Sequence, residues 1–364
     1  MRFNWKLLVL LFMATCSWAQ GHPYTLTPAY ATLDDFRLVS GATLPQIVVE
    51  YATLGEPRRD ASGAIVNAVL NPHGWSGNYA QTLAAAGALV GPGRPLDPAR
   101  YFIIFPTALG SPGSSSPSVS GLGAAFPRYT IADMVNAQYR LVTQRLGIKR
   151  LAGVIGASMG GYQTLQWITA YPEMMDWAVP ITTAPQARGR MLGIFGMMSF
   201  TIASDPGYAN GNYSTQPRDA MRRAMMATYP WYVSGAYLDA KFGSEAEIMA
   251  ELREVGLSMD NWDANDVIWR NQAMASFDVS ADLSRVTAKV LLVGVAEDEL
   301  FPPEQTIVPA AAKIAGARYF VYASPMGHVG GLVDIGKAAD VISQHIRDAE
   351  CRDLQSLDRP IAPK

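Results

Sequence analysis

The sequence predicts a mostly parallel, doubly wound α/β sheet that is interrupted by a helical insertion. Short β-branched or aromatic runs alternate with longer stretches of helical periodicity, which is the pattern of strand–helix–strand units. Several runs are continuously apolar, as expected for strands buried on both faces of a parallel sheet. The alternation stops between residues 185 and 281. We therefore predict a core of residues 20–184 and 282–364 and a helical cap, or lid, of residues 185–281.

Composition excludes several classes of protein. Of the 364 residues, 49% are hydrophobic, which is enough for a core and excludes wholesale disorder. The formal net charge of −2 gives no electrostatic footprint for nucleic acid. With only 2 cysteines, we expect no disulfide framework and no metal site built on cysteine. We also expect no cofactor. The 4 histidines leave few candidates for a catalytic base.

The first nineteen residues have the features of a secretory signal peptide. Arg2 and Lys6 precede an apolar segment, residues 7–15, and Ser17-Trp18-Ala19 has the small-x-small pattern of a cleavage site. We predict cleavage after Ala19 and a periplasmic or secreted protein. The apolar segment is about half as long as a membrane-spanning helix must be, so no membrane span is expected, although an uncleaved N-terminal anchor is the alternative.

Strands and helices are assigned in chain order from their periodicity. Strands are predicted at residues 46–52, 68–70, 101–106, 151–155, 178–182, 290–295 and 318–322, and core helices at 131–146, 161–170, 302–315 and 335–349. The cap contains paired methionines, Met197-Met198 and Met225-Met226. These either fill gaps in a core or form a pliable apolar wall for a substrate, and the sequence leaves both interpretations open.

Ser158 is the candidate nucleophile. It lies in Gly156-Ala157-Ser158-Met159-Gly160, between a predicted strand and a predicted helix, which is the context that the G-x-S-x-G motif requires. The flanking glycines allow close approach of the neighbouring strand and helix to this sharp turn.

His328 is the candidate base because the other histidines are poorly placed. With this kind of nucleophile the acid and then the histidine follow the serine along the chain, which excludes His22 and His73. His345 lies on a C-terminal amphipathic helix, where we expect an exposed position. His328 follows the last predicted strand in a glycine-rich loop, a typical location for a catalytic group.

The acid is expected after a strand that lies between Ser158 and His328. Residues 289–295 form such a strand and lead into Glu297 and Asp298. Asp298 is the first choice and Glu297 the second. The acid would fix the tautomer of His328 and stabilise the imidazolium.

Two backbone N–H groups are expected to stabilise the oxyanion. One belongs to Met159, directly after the nucleophile, and the other to the loop of residues 71–77, where Trp75 is the chosen donor. His73 is expected to shape this loop through hydrogen bonds.

These residues and several further segments resemble the homoserine O-acetyltransferase family of α/β-hydrolase-fold enzymes. The similar segments are residues 50–55, 73–77, 90–97, 126–127, 130–133, 156–161, 166–167, 205–206 and 211–213. The resemblance implies an α/β-hydrolase fold with a helical cap, a dimer formed through that cap, and transfer of an acyl group from coenzyme A through the serine to homoserine. Ser158, Asp298 and His328 match the family's triad. Arg222 and Tyr229 match residues that contact the carboxylate end of homoserine.

The sequence departs from that family at the position after the base. Val329 stands where the family has the aspartate that receives the homoserine amine, and the loop Gly113-Ser114-Ser115-Ser116-Pro117 is also altered. Loss of a charge-assisted hydrogen bond corresponds to about 1.5–3 kcal/mol, or roughly tenfold to hundredfold weaker homoserine binding.

Export and Val329 both argue against homoserine acetylation, whereas acyl-enzyme chemistry is compatible with both. The sequence therefore predicts an exported, esterase-like serine hydrolase acting on a small-molecule acyl ester. The alternatives are an acyltransferase that uses a hydroxyl acceptor and a non-catalytic binding protein on a hydrolase scaffold. The acyl chain and the leaving group are not determined by the sequence.

Overall fold

A computed structural model describes residues 23–357 of the chain, so the predicted signal segment, residues 1–19, and His22 lie outside the described residues. Within this part, the strands form one eight-stranded sheet. The strands are β1 (Ala29–Arg37), β2 (Thr43–Leu54), β3 (Ala68–Leu70), β4 (Phe102–Pro106), β5 (Leu151–Ala157), β6 (Met175–Ile181), β7 (Lys289–Val295) and β8 (Arg318–Tyr322). Their order is β1-β2-β4-β3-β5-β6-β7-β8.

The sheet is antiparallel at one edge and parallel elsewhere. β2 pairs antiparallel with both β1 and β4, whereas every pair from β4 to β8 is parallel. In a parallel sheet the carboxyl ends of the strands meet at one edge, where the following loops can assemble a site. The predicted doubly wound α/β fold is confirmed.

Alternate side chains of the central strands enter two separate apolar cores. Phe102 and Ile104 of β4 belong to one core, and Ile103 and Phe105 belong to the other. All five residues of β4 are buried. The central strands are therefore continuously apolar because helices cover both faces of the sheet, as the sequence predicted.

The α-helices are α1 (Tyr79–Ala85), α2 (Ile131–Arg140), α3 (Met159–Ala170), α4 (Arg190–Ala203), α5 (Arg218–Thr228), α6 (Gly235–Lys241), α7 (Glu245–Leu257), α8 (Ala264–Ala275), α9 (Ile307–Ala311), α10 (Gly330–Val333) and α11 (Ala339–Leu357). α2 begins with a capping box, in which Thr130 and Asp133 each accept a hydrogen bond from the other's backbone N–H. Among the described residues, no helix is both long and apolar enough to cross a membrane.

Five of these helices, α4 to α8, follow one another between β6 and β7, and this stretch contains no named strand. It corresponds to the segment predicted as the cap. Of the paired methionines, Met198 and Met225 are buried in the core, as expected for gap filling, whereas Met197 is 55% exposed. Two other buried cap methionines, Met191 and Met274, line a cavity above the sheet, and the apolar wall for a substrate stays a prediction.

The edge strand β1 is absent from the strands predicted above. Ala31 and Leu33 are buried alternately, but the next buried residue is Phe36. Asp35 between them has a φ of 50°, a conformation that shifts the buried side of the strand by one position. The period-two pattern is therefore broken in its middle, and the strand is not recognisable from periodicity.

Two predictions near the C-terminus are wrong. The helix expected at 302–315 is reduced to a 3₁₀ turn, Pro303–Gln305, and the short helix α9. His345 was expected to be exposed but is only 3% exposed. Its Nε2 lies 3.3 Å from the Lys289 carbonyl oxygen and its Nδ1 lies 3.3 Å from Arg318, because α11 packs this face against β7. Burial lowers the pKa of His345 to about 4.

Candidate active site

Ser158 lies at the turn between β5 and α3, at the carboxyl edge of the parallel sheet. Its backbone has a φ of 59°, a strained conformation for a residue with a side chain. A β-carbon at Gly156 would lie 2.5 Å from the Gly160 carbonyl oxygen, and one at Gly160 would overlap the Pro72 carbonyl oxygen. Both glycines are thus required for the tight turn that exposes the serine hydroxyl.

His328 and Asp298 form a hydrogen-bonded chain with this serine. His328 Nε2 lies 2.9 Å from Ser158 Oγ, and Nδ1 lies 2.9 Å from Asp298 Oδ2. Because the carboxylate accepts from Nδ1–H, Nε2 is left to accept the serine proton. His328 and Asp298 are 7% and 2% exposed, so water is largely excluded from both.

Asp298 is itself held rigidly. Its Oδ1 accepts hydrogen bonds from the backbone N–H groups of Leu300 and Phe301, each at 2.8 Å. The alternative acid, Glu297, accepts from the Ser324 backbone N–H at 2.7 Å. Of the two candidates, Asp298 is the one that contacts His328.

The loop after β3 approaches Ser158 from above. A β-carbon at Gly74 would lie 3.8 Å from Ser158 Cβ, so Trp75, the next residue, lies close to the reaction centre. His73 Nδ1 lies 2.6 Å from the Gly74 carbonyl oxygen, and its Nε2 accepts from the Ala108 backbone N–H at 2.9 Å. Burial lowers the pKa of His73 to about 3, so the ring is neutral and serves to shape the loop. The assignment of the Met159 and Trp75 N–H groups as oxyanion donors stays a prediction.

A cavity of about 540 Å³ opens onto Ser158 and His328. Its walls come from α1, from the cap and from the chain around Val329, and they include Leu83, Met191, Phe195 and Met274. No aspartate, glutamate, lysine or arginine is among the described residues that line it. The site is therefore suited to an uncharged ligand, because a buried charge without a partner is strongly disfavoured.

Arg222 and Tyr229 do not line this cavity. The two guanidinium nitrogens Nε and Nη2 of Arg222 lie 2.6 and 2.7 Å from the carboxylate oxygens of Asp260. Tyr229 is fully buried and its hydroxyl lies 3.4 Å from Glu251. Their predicted role in substrate binding is corrected accordingly, because both side chains are engaged within the cap.

Other lining residues were not foreseen. Tyr24, Thr25 and Leu26, near the start of the described chain, form part of the wall. They lie in no named helix or strand, so periodicity gives no signal for them. Within residues 23–357, no three histidine, cysteine or acidic side chains are grouped so that they could hold a metal ion.

Comparisons with known proteins agree with this arrangement. A model of the alpha/beta hydrolase fold family matches residues 67–332. A probable acyltransferase of Methanothermobacter thermautotrophicus is 38% identical, with 87% of this chain and 97% of that protein aligned. A homoserine O-acetyltransferase of Rhodopseudomonas palustris is 32% identical over 90% of this chain and 92% of its own length. The solved structure of an acetylester hydrolase from Corynebacterium glutamicum is similar with a TM-score of 0.77 and 27% identity, covering 88% of this chain and 96% of that one.

Proposed function

Because the chain belongs to the homoserine O-acetyltransferase-like family of α/β-hydrolase-fold enzymes, we propose that it is a serine esterase that hydrolyses small, uncharged acyl esters. The family and its relatives identify an enzyme of hydrolase or acyltransferase type, which argues against a non-catalytic binding protein.

The observation that carries this proposal is the absence of charged side chains from the cavity wall, as far as the chain is described. Homoserine carries an ammonium and a carboxylate, and each would need a partner of opposite charge to offset the loss of its water shell on binding. Val329, which is 6% exposed, lines the cavity beside the base, where the family has an aspartate for the amine. Arg222, which would receive the carboxylate, is paired with Asp260.

The proposed reaction uses the hydrogen-bonded chain of Ser158, His328 and Asp298. His328 Nε2 takes the proton of Ser158 as Oγ attacks the ester carbonyl, and the oxyanion is stabilised by the N–H groups of Met159 and Trp75. The tetrahedral intermediate collapses to an acyl-serine, and His328 returns the proton to the departing alcohol. Water then attacks the acyl-serine with His328 as base and releases the acid. Asp298 holds the imidazole in the tautomer that both steps need.

An acyltransferase is the second candidate, and the similarity to a probable acyltransferase favours it. It shares the acyl-serine and differs only in the second nucleophile, which would be a hydroxyl acceptor instead of water.

A panel of acyl esters with and without alcohol acceptors tests the proposed function. We expect acid release from neutral esters by the wild-type protein, covalent labelling of Ser158 by a fluorophosphonate, and neither for Ser158→Ala. Absence of labelling in a folded wild-type protein would contradict both enzymatic proposals.

We also propose that residues 1–19 direct export and are removed, which places the enzyme in the periplasm or outside the cell. The N-terminal residue of the purified protein tests this. A mature chain that begins at Gln20 supports export, whereas an intact Met1 contradicts it.

We further propose that two copies of the protein form a homodimer through the cap. α4 exposes Leu192, Met197 and Phe200, at 44%, 55% and 70%, which is a large apolar surface for a single helix. Light scattering on the wild type and on Phe200→Asp tests it: a dimer that the substitution converts to monomer supports the proposal, and a monomeric wild type contradicts it.

A further inference from the structure

The buried guanidinium of Arg270 lies behind the loop that carries Trp75. Arg270 belongs to α8, is fully buried and does not line the cavity. Its Nη1 donates to the Trp75 carbonyl oxygen at 2.7 Å and its Nη2 donates to the Gly110 carbonyl oxygen at 3.0 Å. The adjacent Asn271 accepts a hydrogen bond from the Trp75 indole N–H at 2.8 Å. Two consecutive residues of one helix therefore hold both the backbone and the side chain of Trp75.

This arrangement is unusual for a buried charge. Arg270 forms no ion pair among the described residues, and its Nε has no hydrogen-bond partner there. The buried carboxylate of Asp266 favours the charged form of Arg270 without forming an ion pair with it. Carbonyl dipoles and the rings of Trp262 and Trp75, whose centres lie 4.9 and 5.6 Å away, also stabilise the charge. An apolar side chain of similar volume would avoid the desolvation of the charge. An apolar residue, however, could not donate hydrogen bonds to the carbonyl oxygens of Trp75 and Gly110.

The contacts fix the orientation of one N–H group. The Gly74–Trp75 peptide is trans, so the Trp75 N–H points away from the Gly74 carbonyl, which is bound by the His73 ring. The next carbonyl, that of Trp75 itself, is bound by Arg270. The peptide groups on both sides of the Trp75 Cα are thus fixed, one by His73 and the other by Arg270.

We propose that Arg270, together with Asn271, is a positioning residue that fixes the Trp75 N–H toward the oxyanion formed at Ser158. The inference rests on the proposed function, in which that N–H is an oxyanion donor. An oxyanion donor acts in the transition state and contributes little to binding of the ester, so its misalignment lowers kcat and leaves KM unchanged. Loss of one such donor lowers kcat by about 10²–10³ in other serine hydrolases, and partial misalignment should have a smaller effect.

Arg270→Lys is the principal test, because lysine keeps the charge but cannot bridge two carbonyls in a fixed fork. We expect kcat for a neutral acetyl ester to fall by about tenfold to hundredfold, with KM within threefold and the pH midpoint of kcat/KM unchanged, since the His328–Asp298 pair is untouched. Affinity for a trifluoromethyl ketone, which forms the oxyanion on Ser158, should fall by the same factor as kcat/KM. Arg223→Lys is the matched control, since Arg223 is a cap arginine that is paired with Asp205 and does not line the cavity.

A folded Arg270→Lys protein with kcat within twofold of the wild type overturns the proposal. So does a fall in kcat accompanied by a shifted pH midpoint, because that indicates general distortion of the triad. If Arg270→Lys does not fold, Trp75→Phe serves as the test. This substitution removes the hydrogen bond from the indole N–H to Asn271 and keeps an aromatic ring against Trp262. A lower kcat at constant KM then supports the proposal, and an unchanged kcat overturns it. Failure of the proposed function is distinguishable, because the wild type would then show no acyl turnover.

Discussion

Asp298→Asn is the substitution whose effect the structure determines most closely. Oδ1 of Asp298 accepts two backbone N–H groups, those of Leu300 and Phe301, whereas Oδ2 accepts only from His328. An asparagine at this position will keep its oxygen on the two backbone donors. The reverse orientation would lose two hydrogen bonds, at about 1 kcal/mol each, and leave buried donors unpaired.

The amide NH₂ group then faces His328 Nδ1 and must donate to it. The imidazole is forced into the tautomer with its proton on Nε2, which faces Ser158 Oγ and can no longer accept the serine proton. We expect kcat for a neutral acetyl ester to fall by about 10⁴, or about 5 kcal/mol of barrier, with little change in KM.

Steady-state hydrolysis at several pH values, together with thermal unfolding, measures this effect. Glu297→Gln is the matched control, because Glu297 is the neighbouring acid and binds the Ser324 N–H, a contact that glutamine can keep. Its kcat should stay within about twofold of the wild type. An Asp298→Asn protein of normal thermal stability that retains more than a tenth of the wild-type kcat would refute the reasoning.

Three further substitutions test other parts of the structure. Gly160→Ala places a β-carbon on the Pro72 carbonyl oxygen, and we expect a lower Tm and loss of ester hydrolysis; normal values of both would contradict the steric argument. His345→Gln should flatten the pH dependence of the unfolding free energy between pH 6.5 and about 4. Below pH 6.5 the unfolded chain takes up a proton that the buried His345 does not, so the wild type loses up to about 3 kcal/mol of stability as the pH falls to about 4. Urea titrations in which the variant and the wild type have the same pH dependence would contradict this. Arg222→Gln removes a partly exposed ion pair with Asp260 and should change Tm little, with KM for neutral esters unchanged; a tenfold rise in KM would restore its role in substrate binding.

The turn that carries Ser158 could be predicted because its conformation depends on neighbouring residues in the sequence. The run of residues 151–157 and the glycines around Ser158 specify a strand, a turn and a helix without reference to the rest of the chain. Chain order then led to His328 and Asp298, which the fold brings to hydrogen-bond distance of one another.

The parts that depend on long-range packing could not be predicted. β1 was hidden by the positive φ of Asp35, which no residue pattern announces. The burial of His345 follows from the position of α11 against β7, more than fifty residues away in sequence. Arg222 was assigned from resemblance, and its partner Asp260 lies on another segment of the cap.

The contact between Arg270 and Trp75 joins residues that are 195 positions apart. Neither residue belongs to a motif with the other, and an arginine on a helix is ordinarily a surface residue. Only the fold shows that the cap holds the loop above Ser158, and this link between the cap and the active site is the feature that sequence reasoning missed.

In the proposed mechanism, water and not a hydroxyl acceptor hydrolyses the acyl-serine at Ser158. The measurement that tests it most directly compares, in one sample, acetate release from a neutral acetyl ester with formation of O-acetylhomoserine from acetyl-CoA and homoserine. We predict acetate release by the wild type, none by Ser158→Ala, and no detectable transfer to homoserine. Transfer to homoserine that is faster than ester hydrolysis would contradict the claim and identify the enzyme as an acyltransferase.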